Sequence, residues 1–255
     1  MNTQLNTWAA KTAEAYDKIA HTYNNAPAFY TQSDLTKIND SPSVLVMGIN
    51  PGSGGTYQEQ CKSEYWQLGG KPMDGTHLLK GNPSWSNRSD WAYWQRIYRL
   101  FDVDPHPLDY EADFIVTNAT FFATPKAKKL LPQLLAETLP YTLELIEITR
   151  PRMIVVLSGN SLLKAIKAHC DVTGRRLEYA QTFASFGSIY TGQLEGIPCC
   201  GIPHPSACLF REERELMRKV VTQTYRCESI TADAYQDLLH GIKQRRNAKG
   251  LSKEE

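Results

Sequence analysis

The fold of this chain is written most plainly in Val44-Leu45-Val46-Met47-Gly48-Ile49-Asn50-Pro51-Gly52. Val44 to Gly48 is apolar on both alternating faces, the pattern of a strand covered on both sides rather than one facing water. The run then breaks on Asn50-Pro51-Gly52. Pro51 removes a backbone donor and fixes φ, while the glycines admit positive φ and the close approach of a ligand. Asn50 is thereby presented at a strand tip with its amide free to orient something. The same pattern is also that of an ordinary strand-to-loop turn.

Outward from this strand, further apolar runs recur at Phe114–Asn118 and Met153–Leu157, and a hairpin-like pair spans Ser188–Leu194 and Pro198–Ile202. Between them lie helical patterns. Leu5–Tyr23 carries an apolar stripe through Trp8, Tyr16 and Ile19, and a helix from about Asp90 places Trp91, Trp94, Ile97 and Phe101 on one side. Leu130–Thr149 is helical but interrupted by Pro132 and Pro140, so its first turns read as separate pieces. Ser161–His169, Glu212–Cys227 and Ala232–Arg246 complete the helices, whereas Ser53–Asn87 has no clear period and reads as a long loop with local turns. Strands alternating with helices predict an α/β three-layer sandwich with a mainly parallel four-stranded central sheet flanked by helices. One domain is expected over residues 1–255: an N-terminal helical extension over 1–43, a core over 44–210, and C-terminal helices and tail over 211–255.

Composition narrows the class. With 42% hydrophobic and 22% charged residues, the 255-residue chain has ordinary globular composition, which excludes wholesale disorder. Its 28 Lys and Arg against 27 Asp and Glu leave a net charge of +1, so a polyanion would have to be gripped by a local basic face. The longest apolar runs fall far short of the roughly 18–20 residues that span a bilayer, and no apolar leader opens the sequence, so a cytoplasmic protein without a membrane partner is expected. Six cysteines form no CxxC pair, which argues for reduced thiols and against a metal site. Neither GxGxxG nor GxxxxGK[ST] occurs, which counts against a nucleotide-binding enzyme of another kind.

A second informative turn, Ile202-Pro203-His204-Pro205-Ser206-Ala207, places a histidine on a stiff, extended segment between two prolines. The Gly48–Gly52 motif followed about 150 residues later by His204-Pro205-Ser206, each capping an apolar strand, resembles the uracil-DNA glycosylase superfamily. The first motif is similar to that of the mismatch-specific and single-strand-selective branches. The second is similar to that of the single-strand-selective and aspartate-bearing branches. Thr117-Asn118 and Ser158-Gly159-Asn160-Ser161 close the other two strands where that family carries its pyrimidine-reading asparagine and its phosphate-holding loop. The resemblance covers about Val44 to Phe210. It departs at Asn50, where one branch has an aspartate, and in lacking the four cysteines of the iron–sulfur branches.

The resemblance implies a monofunctional DNA glycosylase: a pyrimidine flips out of DNA and its N-glycosidic bond is hydrolysed, leaving an abasic site, with no metal or cofactor. Flipping costs a few kcal/mol, and one well-placed donor to the developing anion contributes about 3–4 kcal/mol. By this likeness His204 and Asn50 are the catalytic residues. His204 donates to the pyrimidine O2, and Asn50 holds the attacking water, which an amide positions but cannot deprotonate. Gly48, Ile49, Gly52 and Asn118 border the base. Phe121 and Phe122, or else Tyr65 and Trp66, supply the ring on which it stacks, unless these aromatics are core. DNA contacts fall to Ser158, Gly159, Ser206, Lys126 and Lys128, and to Leu209 or Arg211 as the wedge filling the vacated stack. Gly52 stands where the aspartate-bearing branch carries a tyrosine against C5, so the pocket is expected to be open there unless Tyr57, Tyr65 or Trp66 folds over it. Uracil, thymine and 5-modified pyrimidines, including hydroxymethylated or glucosylated ones of the phage type, would then be admitted, in repair or in defence against foreign DNA. A monomer is expected. The alternative is a non-catalytic module on the same fold that binds DNA or a modified base.

Overall fold

The computed structural model describes residues 3–52, 55–126, 130, 132–183 and 188–249. Its strands, β1 to β6 in chain order, are arranged β2-β1-β3-β6-β5-β4 in one six-stranded mixed sheet, and the fold is α/β with flanking helices. The chain separates into two compact units, each made of two stretches: residues 1–89 with 110–152, and 90–109 with 153–255.

In the first unit β1 (Val44–Gly48) and β2 (Phe114–Asn118) run parallel, with Gly48 opposite Asn118, so their carboxyl ends finish level. All ten of these residues are buried, as their two-sided apolar pattern requires. Among the described residues its α-helices are α1 (Thr3–Thr22), α2 (Tyr57–Lys62), α3 (Gly75–Lys80) and α5 (Pro132–Thr149). The helix expected as an extension is a core element. Trp8 and Tyr16 of α1 are fully enclosed, and the Trp8 indole N–H donates to the Tyr141 carbonyl at 2.8 Å. α1 packs closely on α3, since a Cβ on Gly75 would meet the Ala10 backbone nitrogen at 2.7 Å.

The stretch from Ser53 to Asn87 carries more structure than its lack of period suggests. Thr56 and Glu59 cap α2 reciprocally: the Thr56 N–H donates to Glu59 Oε2 at 2.7 Å and the Glu59 N–H donates to Thr56 Oγ1 at 3.3 Å. Asp74 caps α3 by accepting from the His77 N–H. These helices have six residues each, too short for a hydrophobic stripe to declare them. α5 is continuous from Pro132, which occupies its first turn where no amide donor is needed, and it accommodates Pro140 internally.

The second unit contains α4 (Ala92–Tyr98), β3 (Ile154–Leu157), α6 (Asn160–Thr173), β4 (Leu177–Gln181), β5 (Tyr190–Leu194), β6 (Ile197–Ile202), α7 (Arg211–Tyr225) and α8 (Gln236–Ala248). β3 and β6 are parallel, whereas β5 is antiparallel to both β4 and β6. The four-stranded, mainly parallel sheet predicted from the sequence is thus corrected to six strands of mixed direction. The expected hairpin is present, closed by Glu195 and Gly196 with φ of +51° and +78°, the left-handed pair whose twist suits a two-residue hairpin. β4 escaped the sequence reading because it is an edge strand with Leu177 as its one buried residue.

All six cysteines are free thiols, and Cys199 and Cys200 are both buried on β6. Among the described residues no helix is long and apolar enough to cross a membrane.

Candidate functional site

The turn after β1 is joined by backbone to the segment after β2. Ala119, Thr120 and Thr124 donate their N–H groups to the carbonyls of Gly48, Ile49 and Pro51, at 2.8, 3.0 and 3.2 Å. Half-buried Asn50 adds its side chain to this seam. Its Nδ2 donates to the Pro51 carbonyl at 2.7 Å, the Thr124 carbonyl at 3.2 Å and Thr124 Oγ1 at 2.9 Å. The Thr124 hydroxyl donates in turn to the Lys126 carbonyl at 3.0 Å, so its oxygen is an acceptor toward Asn50. Carbonyl partners at Nδ2 settle which end of the amide is which. Both amide hydrogens are committed, and Oδ1 has no partner among the described residues. Asn50 therefore presents an acceptor, suited to orienting a water through one of its O–H bonds.

Asn118 ends β2 and is 5% exposed. Its backbone carbonyl accepts from the Thr142 hydroxyl at 2.9 Å, while its side-chain amide has no hydrogen bond among the described residues. A buried amide left with donors and acceptor unused is prepared for a planar polar partner. Exposed Gly52 has nothing among the described residues within 4 Å of where a Cβ would stand. The rings that could have closed over this turn are held by other partners. Tyr57 is buried, donating to Asp17 Oδ1 at 2.6 Å; the Tyr65 hydroxyl is tied to Asn82 and Ser84; and Trp66 packs on Tyr30 with centroids 4.8 Å apart.

Phe121 and Phe122 are corrected as stacking residues. Both are 0% exposed, enclosed by Tyr16 of α1 at centroid distances of 5.2 and 4.9 Å, with Trp8 and Phe29 on further sides. Neither offers a face to a base. Lys126 is exposed beside the Asn50 seam, and Lys128 lies outside the described residues.

In the second unit β6 leads into Pro203-His204-Pro205-Ser206. The Ser206 N–H donates to His204 Nδ1 at 3.2 Å, so Nδ1 is the unprotonated nitrogen and the ring proton sits on Nε2. The imidazole stacks on Tyr93 of α4, with centroids 5.8 Å apart and planes inclined by 16°. Arg96, one turn on, donates from Nη1 to Ser206 Oγ at 2.8 Å. Burial, reinforced by the Arg96 charge, holds the His204 pKa below the ordinary histidine value. This is a neutral, single-donor imidazole.

β3 is followed by Ser158 and Gly159, both with positive φ, of +87° and +53°. Such a conformation is unusual for a serine and marks a turn whose shape is enforced. The Gly159 N–H donates to the Ile202 carbonyl at 2.8 Å, tying this turn to the end of β6, and no side chain caps α6 at Gly159. Leu209 is half-buried just before α7, its carbonyl accepting from Arg214, and Arg211 is exposed on the first turn.

No protein-family model matches the chain, and no curated protein matches it significantly. The site's character therefore rests on its geometry. The first unit gathers Gly48, Ile49, Asn50, Gly52, Asn118 and Lys126; the second gathers Ser158, Gly159, His204, Ser206, Leu209 and Arg211. Sequence reading missed Thr124 and Tyr93, and it offered Arg96 only as a backbone-tracking or snorkelling arginine, not as a partner of Ser206. Thr124 and Arg96 reach Asn50 and Ser206 across 74 and 110 residues, and no local pattern announces either pairing.

Proposed function

We propose that this protein is a monofunctional DNA glycosylase that flips a pyrimidine from DNA and hydrolyses its N-glycosidic bond, on a three-layer fold like that of the uracil-DNA glycosylase superfamily. The observation that carries this reading is the His204 imidazole, which the Ser206 N–H restricts to one donor, Nε2–H. As the C1′–N1 bond breaks, its electron pair passes to the base and is shared with O2. A fixed neutral donor at O2 stabilises that anion without delivering a full proton, and is worth about 3–4 kcal/mol.

Positive charge grows at C1′ at the same time. Asn50 Oδ1 supports this step by accepting a hydrogen bond from the water whose oxygen adds to C1′. An amide takes no proton, so the water attacks a well-developed sugar cation and loses its proton afterwards to solvent. Asn118 reads the Watson–Crick edge, in either amide orientation, and so accepts uracil-like or cytosine-like bases. With Phe121 and Phe122 enclosed, Tyr65 and Trp66 remain the candidate stacking rings; Tyr65, 48% exposed, would have to release Asn82 and Ser84, and Trp66 its Tyr30 partner, to reach the base. Ser158, Gly159, Ser206 and Lys126 meet phosphates, with Leu209 or Arg211 entering the vacated stack. The space at Gly52, open among the described residues, supports uracil, thymine and 5-modified pyrimidines, hydroxymethylated or glucosylated ones included. The enzyme acts as a cytoplasmic monomer without a cofactor.

The test is alkaline cleavage of labelled duplexes and single strands carrying uracil, mismatched thymine and 5-substituted pyrimidines, alongside phage DNA rich in modified bases. Base release by the wild type, lost in Asn50→Ala and His204→Ala with DNA binding retained, is the expected result. Release from none of these substrates would overturn the proposal. One observation favours a second reading, a non-catalytic module that binds modified DNA: the partners of Asn50 are all carbonyl and hydroxyl oxygens, with no carboxylate to serve as a base. DNA binding without base release by the wild type would select it.

A further inference from the structure

Two residues one turn apart on α4, Tyr93 and Arg96, address the turn after β6 from outside any motif. Tyr93 lies near-parallel to the imidazole with centroids 5.8 Å apart, and Arg96 grips the hydroxyl of Ser206, whose backbone N–H is bonded to His204 Nδ1. The other side of α4 buries Trp94 and Ile97, so the helix holds a fixed position within its unit. No carboxylate among the described residues pairs with Arg96, so its charge is not cancelled locally.

We propose that Arg96 and Tyr93 are positioning residues for His204, locking its ring plane and holding it as the neutral tautomer with the proton on Nε2. Stacking fixes the plane. Gripping Ser206 aims its N–H at Nδ1, and a second ring proton would set two donors against each other there. The guanidinium charge opposes that proton directly, an effect that matters most when DNA phosphates arrive, because a polyanion draws protons onto nearby imidazoles. Among the described residues, Arg96 is the charged group that acts on the ring. Its other neighbours, Tyr93 and Ser206, are uncharged at neutral pH, the Tyr93 phenol being pushed up by burial. The catalytic consequence rests on the glycosylase reading; the state of the ring does not, and can be read in the free protein.

The experiment is a pH titration of the His204 ring protons by NMR, assigned with His204→Gln, in wild type, Arg96→Met, Arg96→Gln, Arg96→Lys and Tyr93→Leu. It is paired with single-turnover base release over the same pH range. Arg96→Met and Arg96→Gln should titrate at higher pH than wild type. Their base release should be severalfold slower on the acid side and equal to wild type on the alkaline side, and Arg96→Lys should restore both. Tyr93→Leu should broaden or shift the ring resonances and slow base release at every pH. Arg96→Gln keeps a donor for Ser206 and lacks the charge, so it carries the test if Arg96→Met does not fold. Titration unchanged in both uncharged variants overturns the proposal whatever the activity. An upward move in variants of a protein that releases no base upholds the positioning and removes the glycosylase reading instead.

Discussion

The turn after β1 and the turn after β6 both bring one polar side chain to a strand end, by different means. Asn50 is held by oxygens of its own seam, two of them backbone carbonyls, in a stretch already zipped by three backbone hydrogen bonds. His204 is held by side chains of a separate helix, through ring stacking and a guanidinium-bound serine. The first arrangement is neutral and short-range, so pH and salt should leave it alone. The second depends on a charge and on a titratable ring, so it should respond to both.

The largest expected effect tests the packing behind the first turn. Phe122 lies on the segment that zips to Asn50, and Phe122→Ala should destabilise the protein by about 3–5 kcal/mol in urea unfolding. A stability change near zero, with base binding weakened instead, would return Phe122 to a stacking role and break the contrast. Next in size, His204→Ala should slow base release by roughly 10²–10³-fold, the loss typical of one donor to a developing anion, with DNA affinity little changed. Loss of affinity in proportion to rate would make His204 a binding group only.

Thr124→Val removes one of three acceptors at Asn50 and leaves both carbonyls. A net contribution of about 1 kcal/mol for that hydrogen bond translates into roughly fivefold slower single turnover, independent of pH. A pH-dependent loss would show that the first turn is not neutral after all. The smallest effect is the acid limb itself. The His204 pKa is lowered in the fold, so the neutral imidazole, and any base release that depends on it, should persist below the ordinary histidine pKa and fall only under the lowered value. The corresponding stability is fully present above the ordinary histidine value and declines as pH falls through it, because the unfolded chain then takes up the proton more readily. Activity that already halves at the ordinary histidine pKa would contradict the description of the second turn.

Much of the frame was legible from residue patterns. Val44–Gly48, Phe114–Asn118 and Ile154–Leu157 are apolar on both faces, and the strands they form are buried throughout. Asn50 and His204 were legible because proline and glycine beside a strand end restrict the backbone sharply enough to mark a turn. β4 was not, since an edge strand with one buried residue has no period to detect. The aromatics following β2 were ambiguous for a different reason. Phe121 and Phe122 are as suited to stacking on a base as to a core, and it is Tyr16, more than a hundred residues earlier, that covers them.

Chain-local chemistry therefore determined the buried strands, the stiff turns that end them and the polar residue each turn carries, because hydrophobic period and backbone restriction act over a few neighbouring residues. Tertiary structure alone decided that Asn50 shows its oxygen rather than its amide hydrogens, that an arginine holds the hydroxyl of the serine whose N–H meets His204 Nδ1, and that two phenylalanines are sealed from solvent. Each of those outcomes is a hydrogen-bond direction or a burial set by residues distant in the chain, Thr124, Arg96 and Tyr16 among them, which meet their partners only once the units have folded.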